Sequence, residues 1–149
     1  DLMNYCETKP EILQIESHPY LTQEKLIRLA KDYGLEVTAF SPLGSISYEE
    51  LGGAEESESI LKNKIVQSIS KDIGITPAQL ILGWGLNRGT SIVVKSTNET
   101  RMKENLAASR IKLQQSIIDK ISALNVNKRY NDPGIFCEDA FNTFFPIYE

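Results

Sequence analysis

The sequence is poor in the residues that build metal sites, disulfide frameworks and nucleophilic catalytic sets. Its 149 residues include one histidine, His18, and two cysteines, Cys6 and Cys137. Two isolated thiols supply neither a disulfide framework nor a zinc-binding pattern, so we expect no metal site and a reducing, cytoplasmic compartment. No Ser-His-Asp or Cys-His set can be assembled around His18 from the spacing of the residues near it.

The sequence also lacks long apolar runs, a basic excess and the usual dinucleotide fingerprint. No segment approaches the roughly 18 apolar residues that a membrane helix needs, and no secretory signal opens the chain. The net charge is -4, whereas nucleic-acid binding needs a basic face. There is no G-x-G-x-x-G. We therefore expect neither a membrane nor a nucleic acid as a partner. The 41% of hydrophobic residues are enough for a soluble core.

The periodicity of apolar residues predicts strands that alternate with helices. Such alternation predicts a parallel sheet with helices outside it, and the near-continuous apolar strands predict burial on both faces. Segments 47–59 and 125–149 have no clear period, so we expect a surface loop and a tail. We expect strands at 12–16, 36–41 and 91–95, and helices at 1–8, 22–33, 60–73, 76–87, 98–108 and 114–124.

The caps of three helices can be predicted from local signals. Thr22 is a suitable N-cap for the helix after the first strand, whose apolar stripe would include Leu26, Leu29, Ala30 and Tyr33. Residues 76–79 read TPAQ, a capping box with proline at the first helical position. An asparagine at position 98 would cap the helix that follows the third strand.

Polar residues collect after the third strand, where parallel α/β folds place their chemistry. Lys95, Ser96 and Thr97 lead into a helix N-terminus, and Arg101 follows one turn later. Exposed N–H groups and the helix dipole favour an anion there. These residues fit a phosphate clamp, and they equally fit an ordinary capped helix with solvated charges.

The first two strands also end in polar residues. The first offers Gln14, Glu16 and His18, and the second is followed by residues 41–45, which read SPLGS. The latter could present hydroxyls and free N–H groups to a ligand or form a plain turn. Phe40 could belong to the core or face a flat ring. We interpret His18 as a structural histidine that backbone groups satisfy.

Three segments in register resemble the motifs of aldo-keto reductases. Residues 14–21 read QIESHPYL and resemble Q-x-E-x-H-P-Y, and residues 38–45 read TAFSPLGS and resemble T-A-Y-S-P-L-G-S. Lys95, Ser96, Arg101, Glu104 and Asn105 match the signature I-P-K-S-x-x-x-x-R-x-x-E-N. The resemblance covers residues 9–129. Residues 129–133, RYNDP, are similar to the tail of the aldose and xylose reductase branch.

The resemblance implies an α/β fold that is the C-terminal half of a (β/α)8 TIM-type barrel, with 125–149 as the C-terminal substrate-loop tail. It also implies NADPH as the cofactor. By resemblance, Gln14 would hold the nicotinamide carboxamide, Phe40 would stack on the ring, and Ser41, Leu43 and Ser45 would lie along the pyrophosphate. Lys95, Ser96 and Thr97 would bind the 2′-phosphate, Arg101 would stack on adenine, Asn105 would contact its edge, and Glu104 completes the signature.

The catalytic Asp, Tyr, Lys and His of the family lie in its N-terminal half, which these residues do not include. We therefore assign no catalytic residue, and we expect the missing half of the barrel as a partner. Val94 stands where proline is usual, and Leu13 where asparagine is common. The resemblance implies an NADPH-dependent reductase of an aldehyde, ketone or sugar. A non-catalytic cofactor-binding or structural protein on the same scaffold is the alternative.

Overall fold

A computed structural model describes residues 2–49 and 53–143 of the chain. Its strands are β1 (Ile12–Glu16), β2 (Glu36–Phe40) and β3 (Ser91–Ile92). Short 3-10 turns occupy Glu56–Glu58, Ile60–Lys62 and Ala108–Arg110. The helices are α1 (Leu2–Tyr5), α2 (Glu24–Asp32), α3 (Ile46–Glu49), α4 (Lys64–Ile73), α5 (Pro77–Asn87), α6 (Glu99–Ala107), α7 (Gln115–Ser122) and α8 (Pro133–Phe141).

The three strands form a parallel sheet in the order β1-β2-β3, as the alternation of strands and helices predicts. In this register Gln14 lies beside Thr38, and Thr38 beside Ser91. One face of the sheet packs on α2 through a buried cluster of apolar side chains. The members of this cluster are Ile15, Ile27, Ala30 and Val37.

The other face of the sheet is largely uncovered by the described residues. Ile12 is 62% exposed on this face and Gln14 is also exposed, although Glu16 at the end of the same strand is buried. The prediction of burial on both faces is therefore wrong for this part of the chain. Because side chains alternate along a strand, a single helical layer can cover only one of the two rows.

A second core lies between α4, α5 and α7. Trp84 is nearly fully buried there, and its indole N–H donates to Ser122 Oγ at 3.0 Å. Two glycines of α5 allow close approach by neighbouring segments. A Cβ on Gly85 would lie 3.0 Å from Cδ1 of Ile92 in β3, and one on Gly83 would lie 3.4 Å from Cγ2 of Ile111. The other buried members of this core are Ile60, Val66, Leu80, Ile81, Ile118 and Ile121.

The start and the buried stripe of α2 differ from the prediction. Thr22 is not its N-cap, because Gln23 occupies that position with a left-handed backbone and no side-chain capping bond. Ile27 and Ala30 face the sheet, whereas Leu29 and Tyr33 are about half exposed. Of the predicted stripe, Ala30 is buried as expected, but contact with the sheet buries Ile27 rather than Leu26, Leu29 and Tyr33.

The other local signals are confirmed in part. The capping box of Thr76 and Gln79 and the cap at Asn98 both form. The helix predicted at 60–73 instead begins with a 3-10 turn, and Asn63 caps α4. The third strand is shorter than predicted, since only Ser91–Ile92 pair with β2.

The prediction of a tail without a helix is wrong. Pro133–Phe141 forms α8, whose N-cap Asp132 accepts a hydrogen bond from the N–H of Gly134 at 2.9 Å. An acidic cap followed by proline is a standard helix start, and the sequence contains that signal. The predicted loop at 47–59 includes the end of α3 and a 3-10 turn. Residues 50–52 of that loop and 144–149 of the tail lie outside the described residues.

Candidate cofactor site

Two adjoining cavities lie at the ends of β2 and β3. The first, of about 240 Å³, is lined by Phe40, Ser41, Leu43 and Lys95, among others. The second, of about 250 Å³, shares Leu43, Ile46 and Lys95 with the first and reaches the start of α6. It is also lined by Ser96, Arg101, Glu104 and Asn105.

A third cavity of about 570 Å³ continues from the second, since the two share Lys95, Ser96 and Asn105. Most of its remaining wall is apolar, so a flat aromatic group fits there better than an ion does. The structure thus brings together eight of the eleven residues predicted to bind the cofactor. The apolar wall consists of Leu82, Leu86, Ile92, Val94, Met102 and Leu106.

Gln14, Ser45 and Thr97 do not line these three cavities. Gln14 lies on the uncovered face of the sheet, the same face as Phe40. Ser45 is fully buried, and its hydroxyl donates to Glu49 Oε1 at 3.0 Å. Thr97 is exposed just before α6. Their proposed contacts with a cofactor therefore stay predictions.

The turn after β2 has an unusual backbone at Ser41. This residue has φ 48°, in the left-handed region that residues other than glycine seldom adopt. Its carbonyl accepts a hydrogen bond from the N–H of Gly44, at 2.9 Å, which closes the turn. Its hydroxyl lies 2.9 Å from the hydroxyl of Tyr48 in α3. The turn therefore presents Ser41 to the first cavity in a fixed orientation.

The start of α6 combines an ordered cap with two cations. Asn98 Oδ1 accepts from the N–H of Arg101 at 3.0 Å, and Ser96 Oγ accepts from the N–H of Asn98 at 3.2 Å. Lys95 and Arg101 are exposed and form no salt bridge with any residue in the described ranges. Two uncompensated positive charges beside a helix N-terminus favour an anion.

A buried carboxylate, Glu16, lies at the end of β1, beside Phe40 of β2. Glu16 is 1% exposed and accepts hydrogen bonds from the backbone N–H groups of Tyr130 at 2.9 Å and Asn131 at 3.1 Å. It also contacts His18 Nε2 at 3.2 Å and an Arg129 guanidinium nitrogen at 3.5 Å. Burial favours the neutral acid, but the hydrogen bonds from His18, Tyr130 and Asn131 outweigh it and lower the pKa of Glu16 below 4.5.

His18 is part of this network. Its ring is fully buried and lies against Tyr130, with ring centroids 5.3 Å apart. The expectation that backbone groups satisfy the ring is wrong, because Nε2 pairs with Glu16 and Nδ1 has no hydrogen-bond partner among the residues described. Tyr48 and Asn131, whose side chains contact each other, were not among the residues predicted to bind a cofactor.

Comparison with known proteins decides the family. The model of the Aldo/keto reductase family matches residues 2–126. The chain belongs to the aldo-keto reductase family. Its fold agrees with a crystal structure of MGS-M4, an aldo-keto reductase enzyme from a Medee basin deep-sea metagenome library, at TM-score 0.75 and 23% identity. That match covers 86% of this chain and 44% of the other, so the α/β sheet is part of an aldo-keto reductase barrel.

Two curated relatives are named as D-xylose reductases of Aspergillus species. The probable NAD(P)H-dependent D-xylose reductase xyl1 of Aspergillus terreus is 42% identical over 150 residues, which cover 99% of this chain and 45% of the relative. The NAD(P)H-dependent D-xylose reductase xyl1 of Aspergillus niger is 42% identical over 135 residues, covering 89% and 42%. The chain thus spans less than half the length of these relatives.

In residues 2–49 and 53–143, no group of three or more His, Cys, Asp or Glu side chains is arranged to hold a metal ion. Among the helices of the same ranges, none is long and apolar enough to cross a bilayer.

Proposed function

We propose that the whole protein is an NADPH-dependent reductase of an aldehyde, a ketone or a sugar carbonyl, and that this chain supplies the cofactor-binding half of its barrel. The observation that carries the proposal is the pair of cations, Lys95 and Arg101, which lie at the start of α6 and both line the second cavity. The names of the fungal relatives support the reaction class.

The residues present fit the parts of NADPH. Lys95, Ser96 and Thr97 would hold the 2′-phosphate, because a lysine, two hydroxyls and a helix start together match an anion. Arg101 would stack on the adenine and add charge, since a guanidinium is planar and always ionised. Asn105, with Glu104 beside it in the wall of the second cavity, would meet the edge of the adenine.

The other end of the cofactor would follow the ends of β2 and β1. Ser41, Leu43 and Ser45 would lie along the pyrophosphate, Phe40 would stack on the nicotinamide, and Gln14 would hold its carboxamide. When bound, the cofactor supplies a hydride for the carbonyl carbon. The chain's own residues bind and orient it. The proton donor would come from the N-terminal half of the barrel, the partner that we propose for this chain.

Arg101→Ala is expected to weaken NADPH binding by the longer protein by about 1.5–3 kcal/mol, or roughly 10- to 150-fold, because it removes a charge-assisted contact. The melting temperature should change little, since Arg101 is exposed and Asn98 caps the helix independently. Fluorescence titration with NADPH and NADH measures both affinities, and wild type should prefer NADPH.

Lys103→Ala is the matched control, because Lys103 lies on the same helix but pairs with Glu99 at 2.7 Å on its exposed side. It should leave both affinities unchanged. Equal affinities of wild type for NADPH and NADH would contradict the 2′-phosphate site. Tight NADPH binding with no oxidation of NADPH by D-xylose or a reactive aldehyde would favour a non-catalytic, cofactor-binding member of the family.

A further inference from the structure

We propose that Tyr48 is a positioning residue that couples the cofactor site to the segment before α8. The proposal rests on the proposed function above, because the coupling concerns NADPH and a carbonyl substrate. Tyr48 lies in α3 and lines none of the three cavities. Its hydroxyl nevertheless connects a residue of the first cavity to a residue of the C-terminal segment.

The connection consists of two hydrogen bonds at one oxygen. Tyr48 is 6% exposed, its hydroxyl lies 2.9 Å from Ser41 Oγ, and it accepts a hydrogen bond from Asn131 Nδ2 at 3.1 Å. Because Asn131 donates, the phenolic proton is available to Ser41 Oγ. The proton of Ser41 is then free for an acceptor in the cavity, such as a phosphate oxygen.

The far side of this connection is held firmly. The N–H of Asn131 donates to buried Glu16, and Lys128 pairs with Glu58 at 2.9 Å in the 3-10 turn that follows α3. The ring of Tyr48 stacks on Tyr130, with centroids 6.0 Å apart and an angle of 16° between the planes. The segment 128–131 is therefore held in place by contacts with β1, with α3 and with the turn after α3.

At the cofactor end of this connection, the backbone conformation of Ser41 depends on its hydrogen bond to Tyr48. With φ at 48°, Ser41 holds a conformation that its own steric preferences oppose. The hydrogen bond to Tyr48 and the bond from Gly44 support this conformation. A shift of Ser41 on cofactor binding would thus move the Tyr48 hydroxyl, and with it Asn131 and the start of α8.

The test measures NADPH affinity in the longer protein without any carbonyl substrate. Tyr48→Phe removes only the hydroxyl, and we expect the Kd for NADPH to rise about 3- to 10-fold, the effect of one or two neutral hydrogen bonds. Asn131 lines none of the three cavities, yet we expect Asn131→Ala to raise the Kd by a similar factor. The double variant should bind NADPH no more weakly than the weaker-binding single variant, since both substitutions break the same connection between Ser41 and Asn131.

A split of kinetic constants distinguishes positioning from a structural role. Residues 125–149 are expected to form the substrate-loop tail, and Tyr48→Phe removes the hydrogen bond that Asn131 of this tail makes to Tyr48. At saturating NADPH, the variant should therefore raise KM for D-xylose about 3-fold or more, while the melting temperature stays near that of wild type. Tyr130→Phe is the matched control. Its ring belongs to the same stack, and its hydroxyl has no hydrogen bond to any residue of the described ranges, so both constants should stay at wild-type values.

Several results would overturn the coupling. Asn131→Ala with wild-type NADPH affinity, or single effects that add in the double variant, would show that Tyr48 acts on Ser41 alone. If Asn131→Ala does not fold, Asn131→Asp removes the same donor at nearly constant volume and gives the same comparison. A wild-type protein that binds no NADPH would instead defeat the proposed function, and the coupling with it.

Discussion

Glu16→Gln is expected to lower the free energy of unfolding by about 3 kcal/mol, because the loss of a buried, hydrogen-bonded charge is among the costliest single changes. The carboxylate accepts from two backbone N–H groups and from His18. A glutamine amide has only one acceptor atom and would direct a donor at one of these donors. Urea unfolding of the longer protein, with equal m-values, measures the change.

Glu36→Gln is the control for this change, since Glu36 lies on β2 with an exposed side chain. It should alter stability by less than about 0.5 kcal/mol. A Glu16→Gln variant as stable as that control would show that the network adds nothing to folding.

The same carboxylate predicts how stability depends on pH. Because the pKa of Glu16 is held below its ordinary value in the folded state, its ionised form contributes stability that is fully present above the ordinary pKa of a carboxyl group. This contribution is lost as the pH falls through the folded-state pKa. Wild type should therefore lose its advantage over Glu16→Gln in acid, and parallel stability curves from pH 7 to 3 would refute the assignment.

Residues 1–149 expressed alone are expected to associate and to reduce no aldehyde. Within the described residues, the outer edge of β1 has no strand partner, and the sheet face with Ile12 is uncovered. Unpaired strand edges recruit other strands, and α2 adds the exposed side chains of Leu29 and Tyr33. Light scattering should therefore give a mass above 16.7 kDa.

Co-expression with the N-terminal half of the longer protein is the control. It should restore a single species that contains both pieces, together with NADPH oxidation by a reactive aldehyde. A monomer of the 149 residues that melts cooperatively would show that the open edge and the open face are tolerated.

Local signals explain what could be predicted from the sequence. The capping box at Thr76 and the cap at Asn98 involve residues three positions apart, so a short window contains the whole interaction. The strand ends could also be predicted to converge, because parallel strands place their carboxyl ends at one edge. The grouping of Ser41, Lys95 and Arg101 around two joined cavities follows from that topology.

Distant partners explain what could not be predicted. The backbone donors to Glu16 lie 114 and 115 positions away, and nothing in the local sequence indicates that pairing. The same holds for α2, where contact with the sheet rather than periodicity decides that Ile27 is buried and Leu29 exposed. Helix α8 was missed for another reason. Asp132 and Pro133 are a local signal for a helix start, but the residues after them have no apolar periodicity, so a loop was predicted.

The glycines of α5 bear on how this half of the molecule unfolds. Gly83 and Gly85 each lower the intrinsic helix propensity by about 1 kcal/mol relative to alanine, yet they lie among consecutive buried residues that need close neighbours. The segment should therefore hold little helix before Ile92 and Ile111 pack against it. Its amide protons would exchange with deuterated solvent only when the surrounding cluster opens as a unit, so their exchange rates would report the global free energy of unfolding rather than local fraying.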